Sequence, residues 1–492
     1  MSKPSHGEPS GSRSLSPPRG PPPEAAPPTE QLPAYSETAP AIDQDGNGFP
    51  SNSNITASFS NLALSNSPCD PTPHTCLAHL KLLFAIQALK TDVGYTDGLF
   101  GLWDSRAMVP ASQWNHGAFR DEEAKREQLA RIREKRWAIY LARAVHRYEI
   151  WWMKGLSKKH LTLNDMGSNG AAYGGFVTGG EKDEMKWDEG MLQLPLDVLM
   201  VWHTHMLNPR AYLEDCLRSG HRALWLAGIP WHLINSVIDN DDFSYHPSDE
   251  AKARWVARTE LQWDNVDDPA VMEIRCPNCS HVLHVPWTTC GTGGEEGKKQ
   301  AARLDLVGHG YGDGGFRATC SGNGCRLRLD RNLLSVGKFV ADAKDLLQQA
   351  RPMPGTLLDL MSGRPVPSQQ PRPLGFPNRM IQRRMRSEVL DLVKPRGVIG
   401  VQMKDIKDMI EALVKDKDAV TEIEREPGYY IKITNLKREL SPFARMAVRK
   451  MMSRYWENFS PFALDLVAAV LRQGVFIDKM CKVYTPFGLL LH

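Results

Sequence analysis

Beyond residue 70, apolar side chains recur every three to four positions through most of the chain, which predicts a mainly α protein. In PTPHTCLAHLKLLFAIQALK, Leu77, Leu80, Leu83, Phe84 and Ala88 keep helical spacing, and Thr72 or Thr75 stands where a cap belongs. GYTDGLFGLWD breaks that helix. A longer one opens at Asp121 with acids in its first turn, and Gly155 follows its end. Its second half carries Trp137, Tyr140, Tyr148, Trp151 and Trp152, an aromatic stripe that reads as core. SNGAAYGGFVTGGEKDE, from Ser168, reads as a connection.

The stretch LPLDVLMVWHTHMLNP, 194–209, predicts a helix from Pro195 that frays near Met206, because Pro209 clashes with the carbonyl of His205. Asn208 is placed to cap a second helix, NPRAYLEDCLRSG, which ends by Gly220. At about 100° per residue, His203 and His205 fall on nearly opposite sides, whereas two ligands for one metal on a helix need i,i+4 spacing. Tyr212, Asp215 and Cys216 share a face of the second helix. Three readings are open for the corner. The histidines bond to a carboxylate such as Asp215 or to free carbonyls; or they supply ligands to a metal completed elsewhere; or His203 is a general base beside Tyr212 and Asp215.

Strand-like alternation shows in HVLHVPWT, GGFRATC and RLRLD, within 281–330, with the polar insertion GTGGEEGKK between. Here lies the firmest chemistry. Cys276-Pro-Asn-Cys279 and, further on, Cys320 and Cys325 form two cysteine pairs. Two such knuckles give a closed tetrahedral zinc site, and the glycines between Cys320 and Cys325 let its longer turn close. Cys290, His281 and His284 are further candidates. The expected result is one structural zinc in a ribbon-like β module. Arg317, Arg326, Arg328 and Arg331 are basic, but clustered aromatics for base stacking are missing, which argues against nucleic acid.

Further on, 349–378 is Pro-rich and reads as a linker, followed by the basic NRMIQRRMRSEVLDLVKPR, a phosphate or nuclear-import patch or a solvated helix face. Val401, Ile406, Met409, Ile410 and Leu413 keep helical spacing. Ser441-Pro442 reads as an N-cap, and Ser460-Pro461 repeats the device before FALDLVAAVLRQGVFIDKM, a helix apolar enough to be buried.

Charge is nearly balanced, at +3, over 492 residues, so no global field marks a nucleic-acid binder. No apolar run approaches the roughly 20 residues a bilayer span needs, and the start lacks the apolar core of a secretory signal. A reducing compartment, cytoplasmic or nuclear, is expected, with the cysteines as thiols or metal ligands. Thirteen of the 35 prolines lie in the first 68 residues, among Ser, Gly and Asn, and residues 1–70 read as disordered. Inside them Leu32-Pro33-Ala-Tyr35 is similar to the ligands of WW domains.

The run LDVLMVWHTHMLNPRAYLEDC resembles the signature of the glycine-rich domain-containing protein-like family. So do VPWT at 285–288, YGDGGF at 311–316 and SRYWENFSPFALDLVAAVLRQGVFIDKM near the C-terminus. The resemblance covers about 71–492 and takes in fungal members of unknown function and plant glycine-rich proteins, whose glycine-rich tail this chain lacks. It brings no catalytic residues. It does bring an α-ketoglutarate-dependent dioxygenase label used for some fungal members, which implies Fe(II). The residues fit that label poorly: no histidine from His74 onward has an acid two residues later, as a two-His-one-carboxylate site commonly shows.

The resulting expectation is a disordered tail (1–70), a helical domain with the WHTH motif (71–268), a zinc-ribbon-like module (269–345), a Pro-rich linker and basic segment (346–390), and a C-terminal helical region packing on the first (391–492). The expected role is an interaction or scaffold protein. The rival is a metal-dependent enzyme using His203 and His205.

Overall fold

A computed structural model describes residues 72–107, 118–154, 160–167, 172–178, 193–291, 306–365, 372–394, 396–424, 440–456 and 458–483. Leu32, Pro33 and Tyr35 lie outside them. Helix α1, Pro73–Tyr95, opens on a reciprocal cap in which both threonines act. The Thr75 N–H donates to Thr72 Oγ1 at 3.1 Å, and the Thr72 N–H to Thr75 Oγ1 at 2.8 Å. Helix α2, Ala118–Lys154, begins three residues before Asp121. Its aromatic half is buried as expected, with Trp137, Tyr148, Trp151 and Trp152 all below 5 % exposure.

One stripe of α2 departs from the amphipathic pattern. Arg136, Arg143 and Arg147 are buried, and their spacing puts them on a single helix face. Arg136 donates to the carbonyls of Gly94 and Leu102 and pairs with Asp104. Arg143 donates to Asn265, Asp268 and Pro269, while Arg147 takes the carbonyls of Gln262 and Trp263 and pairs with Asp197 and Asp268. These guanidiniums satisfy carbonyls that irregular backbone leaves open.

Short helices follow: α3 Leu163–Gly167, α4 Leu196–Met206, α5 Pro209–Ser219, α6 Arg222–Ala227, α7 Trp231–Ser236 and α8 Asp249–Thr259. The break between α4 and α5 falls at Pro209, and Gly220 closes α5 with φ 71°. Asn208 acts differently from expectation. Its Nδ2 donates to the Thr204 carbonyl at 2.9 Å, so it closes α4 instead of capping α5.

Strands β1, Val271–Arg275, and β2, Val282–Pro286, pair antiparallel with Glu273 opposite His284. Strands β3, Arg317–Thr319, and β4, Arg328–Asp330, pair with Ala318 opposite Leu329. Helix α9, Arg331–Gln349, starts on the Asp330 cap. Then come α10 Arg372–Arg384, α11 Arg386–Val393, α12 Met403–Lys415, α13 Lys417–Glu424, α14 Pro442–Ser453 and α15 Leu466–Val483. The fold is therefore mainly helical with a small antiparallel β part, as expected. No helix among the described residues is long and apolar enough to cross a membrane.

Two large apolar cores form, beside a small third cluster of Leu102, Ala107, Ile132 and Cys290. The first joins α1, α2, α4 and α5 with α15 through Leu82, Trp137, Tyr148, Val198, Trp202 and Leu466. The second joins the strands to α9–α14 through Ile274, Leu283, Phe339, Met380, Ile406 and Met451. The stretch expected as a linker is packed into these cores. Met353, Leu357, Leu358, Phe376, Met380 and Ile381 are fully buried. Proline interrupts regular backbone there without removing the apolar side chains between. The basic segment finds backbone partners: Arg379 and Arg383 donate to the carbonyl of Ile423 at 3.1 Å each, where α13 ends. Ser441 caps α14 as expected, but Ser460 does not cap α15. That helix begins at Leu466 with Asp465 accepting from the Ala468 N–H, and only one face is buried. Val475 and Phe476 remain more than half exposed.

Candidate metal centre

Strand β1 runs directly into the first knuckle. The Ser280 N–H donates to the Cys276 carbonyl at 2.9 Å, and the Cys276 N–H to the His281 carbonyl at 2.9 Å, while Ser280 takes φ 59° to turn the chain back into β2. The second knuckle leaves β3 and returns to β4. The Cys320 N–H donates to the Leu327 carbonyl, the Cys325 N–H to the Gly322 carbonyl, and Gly324 has φ 72°. Glycine is required at 322 for another reason: a Cβ there would stand 2.9 Å from His281 Cβ and 3.1 Å from Cys279 Sγ. The two turns approach each other too closely for a side chain.

The four sulfurs converge. Cys276 Sγ lies 3.8 Å from Cys325 Sγ, Cys279 Sγ lies 3.5 Å from Cys320 Sγ, and all four lie within 4.8 Å of one another. A tetrahedral ion with metal–sulfur bonds of ~2.3 Å would set its sulfurs roughly 3.8 Å apart. The pairs are also well beyond the ~2.05 Å of a disulfide. Asn278 Nδ2 donates to Cys325 Sγ at 2.9 Å, and the Gly322 N–H to Cys320 Sγ at 3.4 Å. The first contact holds the Cys325 thiol down at about 7, and burial pushes that of Cys320 up to about 12. Such a cluster can hold a metal ion such as zinc. The other three candidates do not join it. Cys290 Sγ is 3.8 Å from Asp313, His281 bonds Ser321, and His284 sits on the strand face opposite Glu273.

The histidine corner divides as the helical geometry requires. His205 Nδ1 accepts from the Tyr148 hydroxyl at 3.0 Å, and its Nε2 faces Asp215 Oδ2 at 3.0 Å. Asp215 also accepts from the Ala463 N–H, at 2.8 and 3.1 Å. His203 points elsewhere. Gln473 Nε2 donates to its Nδ1 at 2.8 Å, and its Nε2 meets His79 Nε2 at 2.9 Å. Thr204 Oγ1 donates to Gln473 Oε1, which orients the amide. Between the Nε2 atoms of His203 and His79, one ring donates and the other accepts. Burial, with His79 adding to it, drives the His203 pKa down to about 3. Tyr212, the remaining candidate, accepts from Trp202 Nε1 at 3.1 Å with its hydroxyl buried. The structure thus joins His205 to Asp215 and separates both from His203.

Several polar centres were not anticipated. Asp313 is fully buried and bonds Lys135 Nζ at 2.7 Å, Thr288 Oγ1 at 2.9 Å and the N–H groups of Thr289 and Gly310. Burial opposes its charge, yet Lys135 and those N–H groups hold the carboxyl below its usual range. Glu214, also fully buried, takes Arg454 through Nε and Nη2. The sequence signal for Asp313 was an acid among glycines; Glu214, next to Asp215, carried none. No family model matches the chain, and neither a curated protein nor a solved structure matches it.

Proposed function

We propose that this chain is a non-enzymatic interaction protein of the cell interior, built on a β module that one structural zinc ion folds. The convergence of the Cys276, Cys279, Cys320 and Cys325 sulfurs carries this reading. Four thiolates complete a tetrahedral shell and leave no position for substrate or water. The surface supports an interaction role. Between α12 and α14 a groove of about 810 Å³ has a floor that includes Ile410, Val414, Val448 and Met452, and a rim that includes Arg445 and Arg449. That chemistry suits an acidic amphipathic helix. In the tail, Leu32, Pro33 and Tyr35 would offer a second contact, to a WW-domain partner. The resemblance to the glycine-rich domain-containing protein-like family agrees with such a role but adds no mechanism.

The rival is an Fe(II) oxygenase using His203 and His205. It needs two imidazoles and a carboxylate around one ion. Here the two rings turn to different partners, His205 to Tyr148 and Asp215 and His203 to Gln473 and His79.

The deciding measurement is zinc and iron content of the purified, untagged protein, repeated on Cys276→Ser/Cys320→Ser. One zinc per chain, lost in the variant, is expected. Iron that survives the cysteine changes and disappears in His203→Ala would overturn the proposal in favour of the enzyme.

A further inference from the structure

A cleft of about 510 Å³ opens where α2, α5, β1 and α9 meet the 459–462 segment. That volume suits a small organic molecule. Its apolar lining includes Trp152, Tyr311, Phe459 and Phe462.

The charged groups in it fall into two classes. Most are paired within the protein: Arg218 with Asp342 at 2.6 Å, Arg351 with Asp345 at 3.4 Å, and Asp215 with His205. Two are not. Among the described residues, Glu149 accepts no hydrogen bond and joins no ion pair. Among the described residues Lys338 forms no ion pair; its ammonium donates to the carbonyls of Arg454 at 2.9 Å and Phe462 at 3.3 Å and lies 5.5 Å from the centre of the Tyr455 ring. Arg218 Nε and Arg351 Nε are buried donors with no acceptor. Buried polar groups in folded proteins are nearly always satisfied, so an unpartnered carboxylate lining a concave place needs an explanation.

Gly337 supplies a separate observation. It stands inside α9 on the stripe with Leu334, Lys338 and Ala341 that lines the cleft. Glycine weakens a helix interior relative to alanine. A Cβ at this position would meet nothing within 4 Å, so the protein's own packing does not require glycine. Its effect is to keep the cleft wide.

We propose that this cleft binds a small zwitterion of the amino-acid class, its ammonium on Glu149, its carboxylate on Lys338, and its side chain against the aromatic wall. The ligand would provide the acceptor and donor groups that the protein lacks here. Two further facts agree. Burial pushes the Glu149 carboxyl up to about 7 despite the Lys338 ammonium, and burial brings Lys338 down to about 8. Both groups are thus disfavoured as charges in the empty cleft, and both would gain from an opposite charge beside them.

The test is the thermal midpoint of the full-length protein against each of the twenty free amino acids at millimolar concentration, followed by calorimetric titration of any that stabilise. At least one should raise the midpoint saturably. Its N-acetyl and carboxamide derivatives, each lacking one charge, should bind at least tenfold more weakly. Gly337→Leu should keep or raise its own midpoint and lose the response, because leucine fills the cleft. Glu149→Gln should weaken binding about tenfold, and it serves as the second variant if Gly337→Leu fails to fold. Absence of any stabilising amino acid, equal binding of the blocked derivatives, or undiminished binding by a folded Gly337→Leu or Glu149→Gln variant would each overturn the proposal.

Discussion

His205 and Asp215 face each other across the α4–α5 corner at 3.0 Å, and the same carboxylate holds the Ala463 N–H. One side chain thus ties the corner to the segment that leads into α15. Asp215→Ala would leave His205 Nε2–H and the Ala463 N–H buried without an acceptor. Each such group costs about 1–3 kcal/mol, so a loss of roughly 2–5 kcal/mol is expected in the urea unfolding midpoint. Tyr148→Phe removes only the donor to Nδ1 and should cost about 1 kcal/mol. An unchanged midpoint in Asp215→Ala would show that the corner does not depend on this bond.

His203 and His146 both have pKa values depressed by burial, to about 3 and about 4; His79 adds to the first, and Arg143 and Arg147 to the second. The folded state keeps them neutral while the unfolded chain protonates them below about 6.5. Their contribution to stability is complete above that pH and is lost as pH falls toward the folded values. Each group then adds a slope of about 1.4 kcal/mol per pH unit. Denaturant midpoints between pH 7 and 4 should show this slope, and His203→Gln should reduce it by about one group's share. Equal slopes in wild type and variant would remove His203 as a source.

Lys135 is the ion-pair partner of a carboxylate with no exposure. Lys135→Met strands that charge and should cost about 3–5 kcal/mol. The double variant Lys135→Met/Asp313→Asn should recover part of it, because the stranded charge is gone. If the two single effects simply add, the pair is not coupled.

Removal of the proposed ion by a zinc chelator at pH 7 should lower the thermal midpoint by more than about 5 °C and expose amides of β1–β4 to hydrogen exchange, while α1 and α4 keep their protection. Acidification should release the ion, since protons compete for the thiolates. A chelated protein with unchanged exchange in the strands would mean that the module folds without metal.

The helix–corner–helix from Pro195 to Gly220 was legible in the sequence because its signals are local: a proline that cannot continue one helix, and a glycine that ends the next. The cysteine pairs were legible for the same reason. The partners of the histidines were not. Tyr148, His79 and Gln473 reach them from 57, 124 and 270 positions away, and no local spacing encodes such contacts. The burial of the three arginines of α2 was hidden for another reason. A charged residue on a helix reads as solvated, yet these face irregular backbone whose carbonyls need donors. Likewise, prolines in 349–378 marked broken backbone correctly but said nothing about the burial of Leu357 and Phe376.

The closure of the first core by α15 has a consequence for how the chain is made. Ala463 reaches Asp215 across 248 positions, and Asp478 reaches Lys90 across 388. The N-terminal helices therefore leave the ribosome well before their covering helix exists. At ~5–20 residues per second, the wait for Ala463 lasts roughly 12–50 s. During that interval the faces of α1, α2 and α4 that α15 will cover are bare, and the nascent chain is a client for chaperones that shield apolar surface.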